Sequence, residues 1–250
     1  MTTVRDLYNA LFAFAPASMK YDWDNVGLLC GHFDAPVDTV LVALDPMPDV
    51  IDEAKARGAQ CIVTHHPLIF DAPRAINDES YTGRCILALA EAHIAAINLH
   101  TNLDVCPGGV NDVLIRICGV EGDISELYDE EGHACGRIGR ICKPMDARAY
   151  AEKLKHSLNS PAARFSDPVS NVDKIAVIGG AGAEYMPRAV AAGCDTLVTG
   201  EAKYHDFADA VHMGINLIEL GHFATENPVI AELARRMADK FEDVEFIVSG

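Results

Sequence analysis

Val42–His66 reads VALDPMPDVIDEAKARGAQCIVTHH, and Val177–Glu201 reads VIGGAGAEYMPRAVAAGCDTLVTGE. The two stretches align without a gap at a constant offset of 135 residues. Six positions are identical: Val42/Val177, Ala54/Ala189, Ala56/Ala191, Gly58/Gly193, Val63/Val198 and Thr64/Thr199. About two identities would arise by chance, at roughly one in ten per position. Each stretch opens on an apolar run, passes through a helical segment stopped by glycine, and closes on a second apolar run. The match predicts two related strand–helix–strand halves. His65-His66 and Gly200-Glu201 would then sit at the C-terminal ends of equivalent strands, where open α/β sheets place their ligands.

The same alternation extends outward. Strands are expected at Thr39–Leu44, Cys61–Thr64, Ile94–Leu99, Lys174–Ile178, Thr196–Thr199, Ile215–Leu220 and Val244–Val248, each a short apolar run. Helices are expected at Pro48–Arg57, Arg84–Glu91, Val110–Ile117, Asp146–Leu158, near Glu184–Ala192, and at Lys203–Val211. A long last helix is expected from about Thr225, as its N-cap, to Phe241. The stretch Asn159–Ser170 reads as loop, and the acidic, glycine-punctuated Glu121–Gly132 suggests a domain boundary near residue 125. The fold class is α/β, with a largely parallel sheet or two such sheets.

Half of the 250 residues are apolar, which excludes disorder and allows a large core. No apolar run approaches the ~18 residues of a membrane span. The N-terminal MTTVRDLYNALFAFAP carries Asp6 and Asn9 within its apolar pattern and reads as an amphipathic helix rather than a signal peptide. The 37 acidic residues against 20 Lys plus Arg leave a formal charge of −17, a poor match to phosphate backbones, so no nucleic-acid partner is expected. Eight cysteines without a C-x-x-C pair argue against a zinc ribbon. They are expected to be reduced thiols of a cytoplasmic protein.

Histidines mark the strand ends. His65 and His66 follow the Cys61–Thr64 strand, and imidazole is a common ligand of transition metals. His100-Thr101-Asn102-Leu103-Asp104 follows the next strand, although taken alone it is somewhat better accounted for by an Asx turn. His222-Phe223-Ala224-Thr225-Glu226 follows the Ile215–Leu220 strand, where a helix-start glutamate is favoured by the macrodipole alone. Three strand ends that each pair His with His, Asp or Glu exceed the needs of one tetrahedral zinc and suit two neighbouring cations. A fourth cluster, Glu201, Lys203 and His205, offers substrate contact or proton transfer, or is a solvated helix start. Ile178-Gly179-Gly180-Ala181-Gly182 lacks the third glycine of G-x-G-x-x-G, since Tyr185 stands there, and reads as a tight turn.

Seven segments together carry a family resemblance: WDNVGLLCG from Trp23, THHP from Thr64, HTNLD from His100, GGVND from Gly108, GRIG from Gly136, TGEAKYH from Thr199 and GHFATE from Gly221. In this order the chain resembles the Nif-three-like dinuclear-metal proteins, which include the YbgI-like proteins and carry the GTP cyclohydrolase I type 2 name. The resemblance implies a Nif-three-like fold of two related α/β domains with mixed, largely parallel sheets. The first domain would comprise residues 1–125 plus 218–250 and carry most metal ligands; the second would comprise 126–217. The resemblance also implies a toroidal homohexamer and two divalent cations per chain, zinc, iron, manganese, nickel or cobalt. Their ligands would be His65, His66, Asp104, His222 and Glu226, with Glu226 bridging.

The activity expected is metal-dependent hydrolysis of a small molecule, with GTP, converted to dihydroneopterin triphosphate and formate, as the named case. His100, Glu201 and His205 are the candidate catalytic residues. A metal-dependent phosphoesterase and a non-enzymatic metal-binding or regulatory protein are the alternatives.

Overall fold

The computed structural model describes residues Met1–Gly250, which divide into two units: Met1–Cys106 with Ile230–Gly250, and Pro107–Val229. In chain order the first unit contains α1 (Val4–Phe14), β1 (Gly27–Cys30), β2 (Thr39–Ala43), α2 (Pro48–Arg57), β3 (Cys61–Thr64), α3 (Tyr81–Glu91), β4 (Ala95–Asn98) and α4 (Thr101–Val105). The second contains α5 (Val110–Ile117), β5 (Ser125–Leu127), β6 (Gly136–Met145), α6 (Ala147–Ser157), β7 (Arg164–Phe165), β8 (Val172–Ala181), α7 (Met186–Ala191), β9 (Thr196–Glu201), α8 (Tyr204–Met213), β10 (Asn216–Glu219) and α9 (His222–Glu226). The chain then continues through α10 (Pro228–Ala238) to β11 (Glu245–Val248).

In the first unit five strands run in the order β1-β4-β3-β2-β11. Only β1 is antiparallel to its neighbour. Local chemistry delimits the helices. Thr3 and Asp6 form a capping box at the start of α1. Proline opens α2, and Gly58, at φ +68°, closes it in the left-handed conformation. Leu41, Ile62 and Ala96 from the strands pack against Ile51, Ala54 and Leu89 from α2 and α3.

In the second unit six strands run β5-β6-β8-β9-β10-β7, and β8, β9 and β10 are parallel. Alternate residues of the central strands feed opposite faces, as the period of two requires. Val177, Val198 and Ile218 pack under α5 and α6 with Leu114 and Tyr150. Ala176, Leu197 and Leu217 pack on the other face with Met186, Ala189 and Ala210.

The sequence match is a structural repeat with an identical register. Val42 pairs with Val63 in β2–β3, and Val177 pairs with Val198 in β8–β9, so both partners move by the same offset. The side-chain lock is repeated too. Gln60 Oε1 accepts from the Asp38 and Thr39 amides, at 3.0 Å each. Asp195, the matched residue, accepts from the Asp173 and Lys174 amides at 3.0 and 2.7 Å. A third parallel strand follows in both units, and the Leu99 and Leu220 amides bond to the Thr64 and Thr199 carbonyls at 3.0 Å each.

Three expectations change. The division at 1–125 plus 218–250 and 126–217 gives way to the one above. Helix α5 packs on β8 and β6, and β10 lies inside the second sheet, so residues 107–125 and 218–229 belong to the second unit. His222 and Glu226 therefore belong to the second unit. The single helix from Thr225 to Phe241 is two helices, because Pro228 lacks an amide proton and starts a new helix. Thr225 is no N-cap; Gly221 caps α9, and Thr225 lies inside it. Strands β1, β5, β6 and β7 escape the periodicity. Three of them are edge or two- to four-residue strands, and β6 (GRIGRICKPM) carries charge at every third residue, Arg137, Arg140 and Lys143, which breaks the period of two.

Candidate metal centre

The strand ends of the first unit bring three imidazoles together. Past the end of β3 the ladder to β2 continues, with the His65 and His66 amides donating to the Ala43 and Leu44 carbonyls at 3.3 and 2.8 Å. The Thr64 hydroxyl donates to the His66 carbonyl at 2.8 Å and curls the chain. The two adjacent rings therefore do not diverge as they would in an extended strand; their centroids lie 4.9 Å apart. The His100 ring lies 5.3 and 5.7 Å from those of His65 and His66. One ligand atom from each of the three histidines falls within 4.8 Å of the others, a set that could hold a metal ion.

Each imidazole is oriented through Nδ1. The buried His65 places Nδ1 3.0 Å from the Leu99 carbonyl, which can only accept, so Nδ1 carries the proton. His66 Nδ1 lies 2.6 Å from Asp45 Oδ1, and His100 Nδ1 lies 2.8 Å from Asp24 Oδ1. In all three, Nε2 is left as the nitrogen bearing the lone pair, the usual arrangement behind a metal-ligating imidazole. Asp24 is suited to its part. Burial opposes its ionisation, but bonds from the His100 ring and from the Thr101 hydroxyl and amide outweigh that and hold its pKa at about 2. Asp104, on α4, brings Oδ1 to 3.6 Å from His65 Nε2.

In the second unit, α9 places His222 and Glu226 four residues apart on one face. His222 Nε2 lies 3.0 Å from Glu226 Oε2, and His222 Nδ1 lies 2.8 Å from Glu201 Oε1. An imidazole flanked by two carboxylates, one of them buried, is a cation-seeking arrangement. Backbone closeness makes room for it. Gly180 has φ +61°, and a Cβ there would overlap Glu226 Oε1 and approach His222 Nε2 to 3.1 Å. A Cβ at Gly200 would come within 2.5 Å of Thr225 Oγ1. The Gly180 amide donates to that hydroxyl at 3.1 Å. The glycine-rich end of β8, bulged between Ile178 and Ala181 where the sequence suggested a tight turn, is thus the floor beneath His222 and Glu226.

The expected residues fall into three groups. His65, His66, His100 and Asp104 cluster in the first unit, and His222, Glu226 and Glu201 in the second. His205 is apart from these: its side chain is exposed, and Nε2 lies 3.3 Å from Asp206 Oδ1. It lines a cavity of about 510 Å³ with Arg164, Glu201, Lys203, Asp206 and Glu219. Burial, with help from Glu201, raises the Glu219 carboxyl above its ordinary range, against the opposing pull of Arg164 at 3.1 Å. Sequence reasoning overlooked Asp24, Asp45, Gly180 and Gly200 as parts of the site. The available signal was position: Asp45 stands at the tip of the strand beside the two histidines, and Asp24 lies in the WDN segment.

The sequence profile of the Duf34/NIF3 (NGG1p interacting factor 3) family matches residues 2–250. The chain belongs to this family. It is 35% identical over 252 residues to a Clostridium perfringens protein named GTP cyclohydrolase 1 type 2 homolog, covering 98% of this chain and 95% of that one. A Clostridium acetobutylicum protein of the same name is 34% identical over 94% of this chain and 89% of the other. Among solved structures, a hypothetical protein of Staphylococcus aureus superimposes with a TM-score of 0.92 at 30% identity, over 99% of this chain and 96% of that one. A Bacillus cereus protein related to NIF3 superimposes with a TM-score of 0.90 at 24% identity, over the same shares, and bears on the fold alone. No helix of this Duf34/NIF3 member is long and apolar enough to cross a membrane.

Proposed function

We propose that this Duf34/NIF3 member is a metal-dependent hydrolase. The residues that would hold its two cations are His65, His66, Asp104, His222 and Glu226, with Glu226 as the shared ligand. The observation that carries the reading is the common orientation of His65, His66 and His100, each held through Nδ1 so that Nε2 bears the lone pair. The donor set fits a divalent transition metal: imidazole nitrogen with carboxylate oxygen, each imidazole backed by a carbonyl or carboxylate. Bound cations would supply Lewis-acid activation of water and offset negative charge on the substrate.

The side chains do the remaining work. Asp45 and the Leu99 carbonyl fix the His66 and His65 rings, and Glu201 fixes His222. His100, backed by the ionised Asp24, presents Nε2 as a proton acceptor beside the cluster. His205 and Lys203 lie in the cavity shared with Glu201, where they can take a proton or an anionic group. The names of the relatives make GTP the first substrate to test. In that reaction one water adds at C8 of the purine and opens the imidazole ring to a formamide, and a second water hydrolyses the formamide so that the carbon leaves as formate. A toroidal homohexamer is the assembly we propose for the active protein, to be checked by light scattering on the eluted species.

Elemental analysis of protein purified without added metal is expected to find two metals per chain. The metal-loaded protein is expected to consume GTP and release formate, and Asp104→Asn to abolish that release while the assembly persists. Metal-loaded protein that releases no formate removes the cyclohydrolase, and a chain without metal removes the dinuclear centre. Altered metal stoichiometry in Asp104→Asn, with no turnover to lose, favours the non-enzymatic metal-binding alternative.

A further inference from the structure

Two large aromatic rings stand in solvent beside the histidine cluster. Trp23 is 60% exposed and Phe70 56% exposed. Their centroids are 5.9 Å apart, and they lie 6.1 and 6.2 Å from the His100 ring. Burying either ring elsewhere would be favourable, so their presentation next to a polar cluster calls for an occupant. The presentation is built, since the loops that carry the rings are fastened together. Asn25 Nδ2 donates to the Ile69 carbonyl at 2.7 Å, and Asn98 Nδ2, from β4, donates to the Asn25 carbonyl at 3.0 Å. Between these anchors Asp24 holds His100. Three consecutive residues therefore serve one place: Trp23 offers a ring, Asp24 orients an imidazole, and Asn25 ties down the loop of Phe70.

We propose that Trp23 and Phe70 form a stacking shelf for the planar heteroaromatic ring of a small-molecule ligand, whose edge then faces His100. A ring inserted between two others needs about 7 Å, twice the contact distance of ~3.5 Å, so the 5.9 Å spacing forms a floor rather than a slot. The two planes are tilted by 51°, so a planar purine or pterin stacks face-on against Trp23 and meets Phe70 at a tilt, whatever its substituents. A sugar or an aliphatic chain has no such face to offer. The ring class deepens the hydrolase reading above and rests on it for the role of His100, but the shelf can be tested without turnover.

Trp23 is the chain's one tryptophan, so its fluorescence reports the shelf alone. The unmodified protein is titrated with guanosine, GTP and ribose 5-phosphate, with excitation at the red edge of the indole band. Saturable quenching by guanosine and GTP, and none by ribose 5-phosphate, is expected. Phe70→Ala, which keeps the reporter, is expected to weaken guanosine binding about tenfold. Linear quenching no greater than that of free N-acetyltryptophanamide overturns the shelf, as does unchanged guanosine affinity in folded Phe70→Ala. Trp23 protected from acrylamide in the ligand-free protein means that another polypeptide covers the rings, and this also overturns it. Quenching without formate release leaves the shelf standing and removes the cyclohydrolase, whereas formate release without quenching does the reverse.

Discussion

His66 Nδ1 lies 2.6 Å from Asp45 Oδ1, across the tips of two parallel strands. The contact exists because β2 and β3 are in register, so the residue after Leu44 and the residue after His65 end side by side. The carboxylate holds the ring in one orientation and makes Nε2 more basic. Asp45→Ala is expected to lower metal affinity by about 10- to 100-fold. Asp45 is partly exposed, so the fold should survive the change. Competition with a chelating indicator measures it, and unchanged affinity would show that the Asp45 bond plays no part in binding.

Gly180 is required for two reasons that can be separated. Its φ of +61° costs an alanine about 1–2 kcal/mol, and a Cβ there overlaps Glu226. Gly58 has a similar φ of +68° with nothing near its would-be Cβ. In urea unfolding, Gly58→Ala is expected to lose about 1 kcal/mol, the backbone cost alone. Gly180→Ala is expected to lose clearly more, together with metal bound through His222 and Glu226. Equal losses in the two variants would remove the argument from closeness.

Tyr150 is fully buried in the second unit, and its hydroxyl donates to the Cys118 carbonyl at 2.8 Å. Burial pushes its pKa far above the ordinary tyrosine range, so the phenol is neutral at neutral pH. Tyr150→Phe is expected to cost about 1 kcal/mol for the lost bond, and Tyr150→Ala about 3–5 kcal/mol for the cavity. Urea midpoints at constant slope measure both.

No disulfide joins the eight cysteines, and their reactivity should follow burial. Burial raises the Cys61 and Cys118 thiols to about 12, so the reactive thiolate is scarce at neutral pH. Cys142 is exposed. A maleimide at neutral pH is expected to label Cys142 first, and to reach Cys61 and Cys118 only on unfolding. Peptide mass mapping reads the order, and early labelling of Cys61 would contradict it.

Much of the secondary structure was legible because local signals agreed. Pro48 and Gly58 bound α2 where expected, and the apolar runs of β2, β3 and β4 lie within one residue of their expected limits. The repeat was legible as six identities, and the shared register of Val42/Val63 and Val177/Val198 is its physical cause. Edge strands such as β1 and β7 were not, since a short strand with one neighbour needs no sustained alternation. The break at Pro228 was written in the sequence but outweighed by the apolar stripe that runs across it.

By itself the sequence determined the α/β alternation, the duplicated strand–helix–strand core and the strand ends at which the histidines stand. Caps, glycine stops and apolar periodicity act over a few residues, and any reader of the chain meets them in order. Only the tertiary structure decided which oxygen faces Nδ1 of His65, His66, His100 and His222 and where the unit boundary falls. Asp24 with His100, Asp45 with His66, and Glu201 with His222 are far apart in the chain. Parallel strands in register bring the last two pairs together, the loop before the antiparallel β1 brings Asp24 to His100, and no local pattern encodes these pairings.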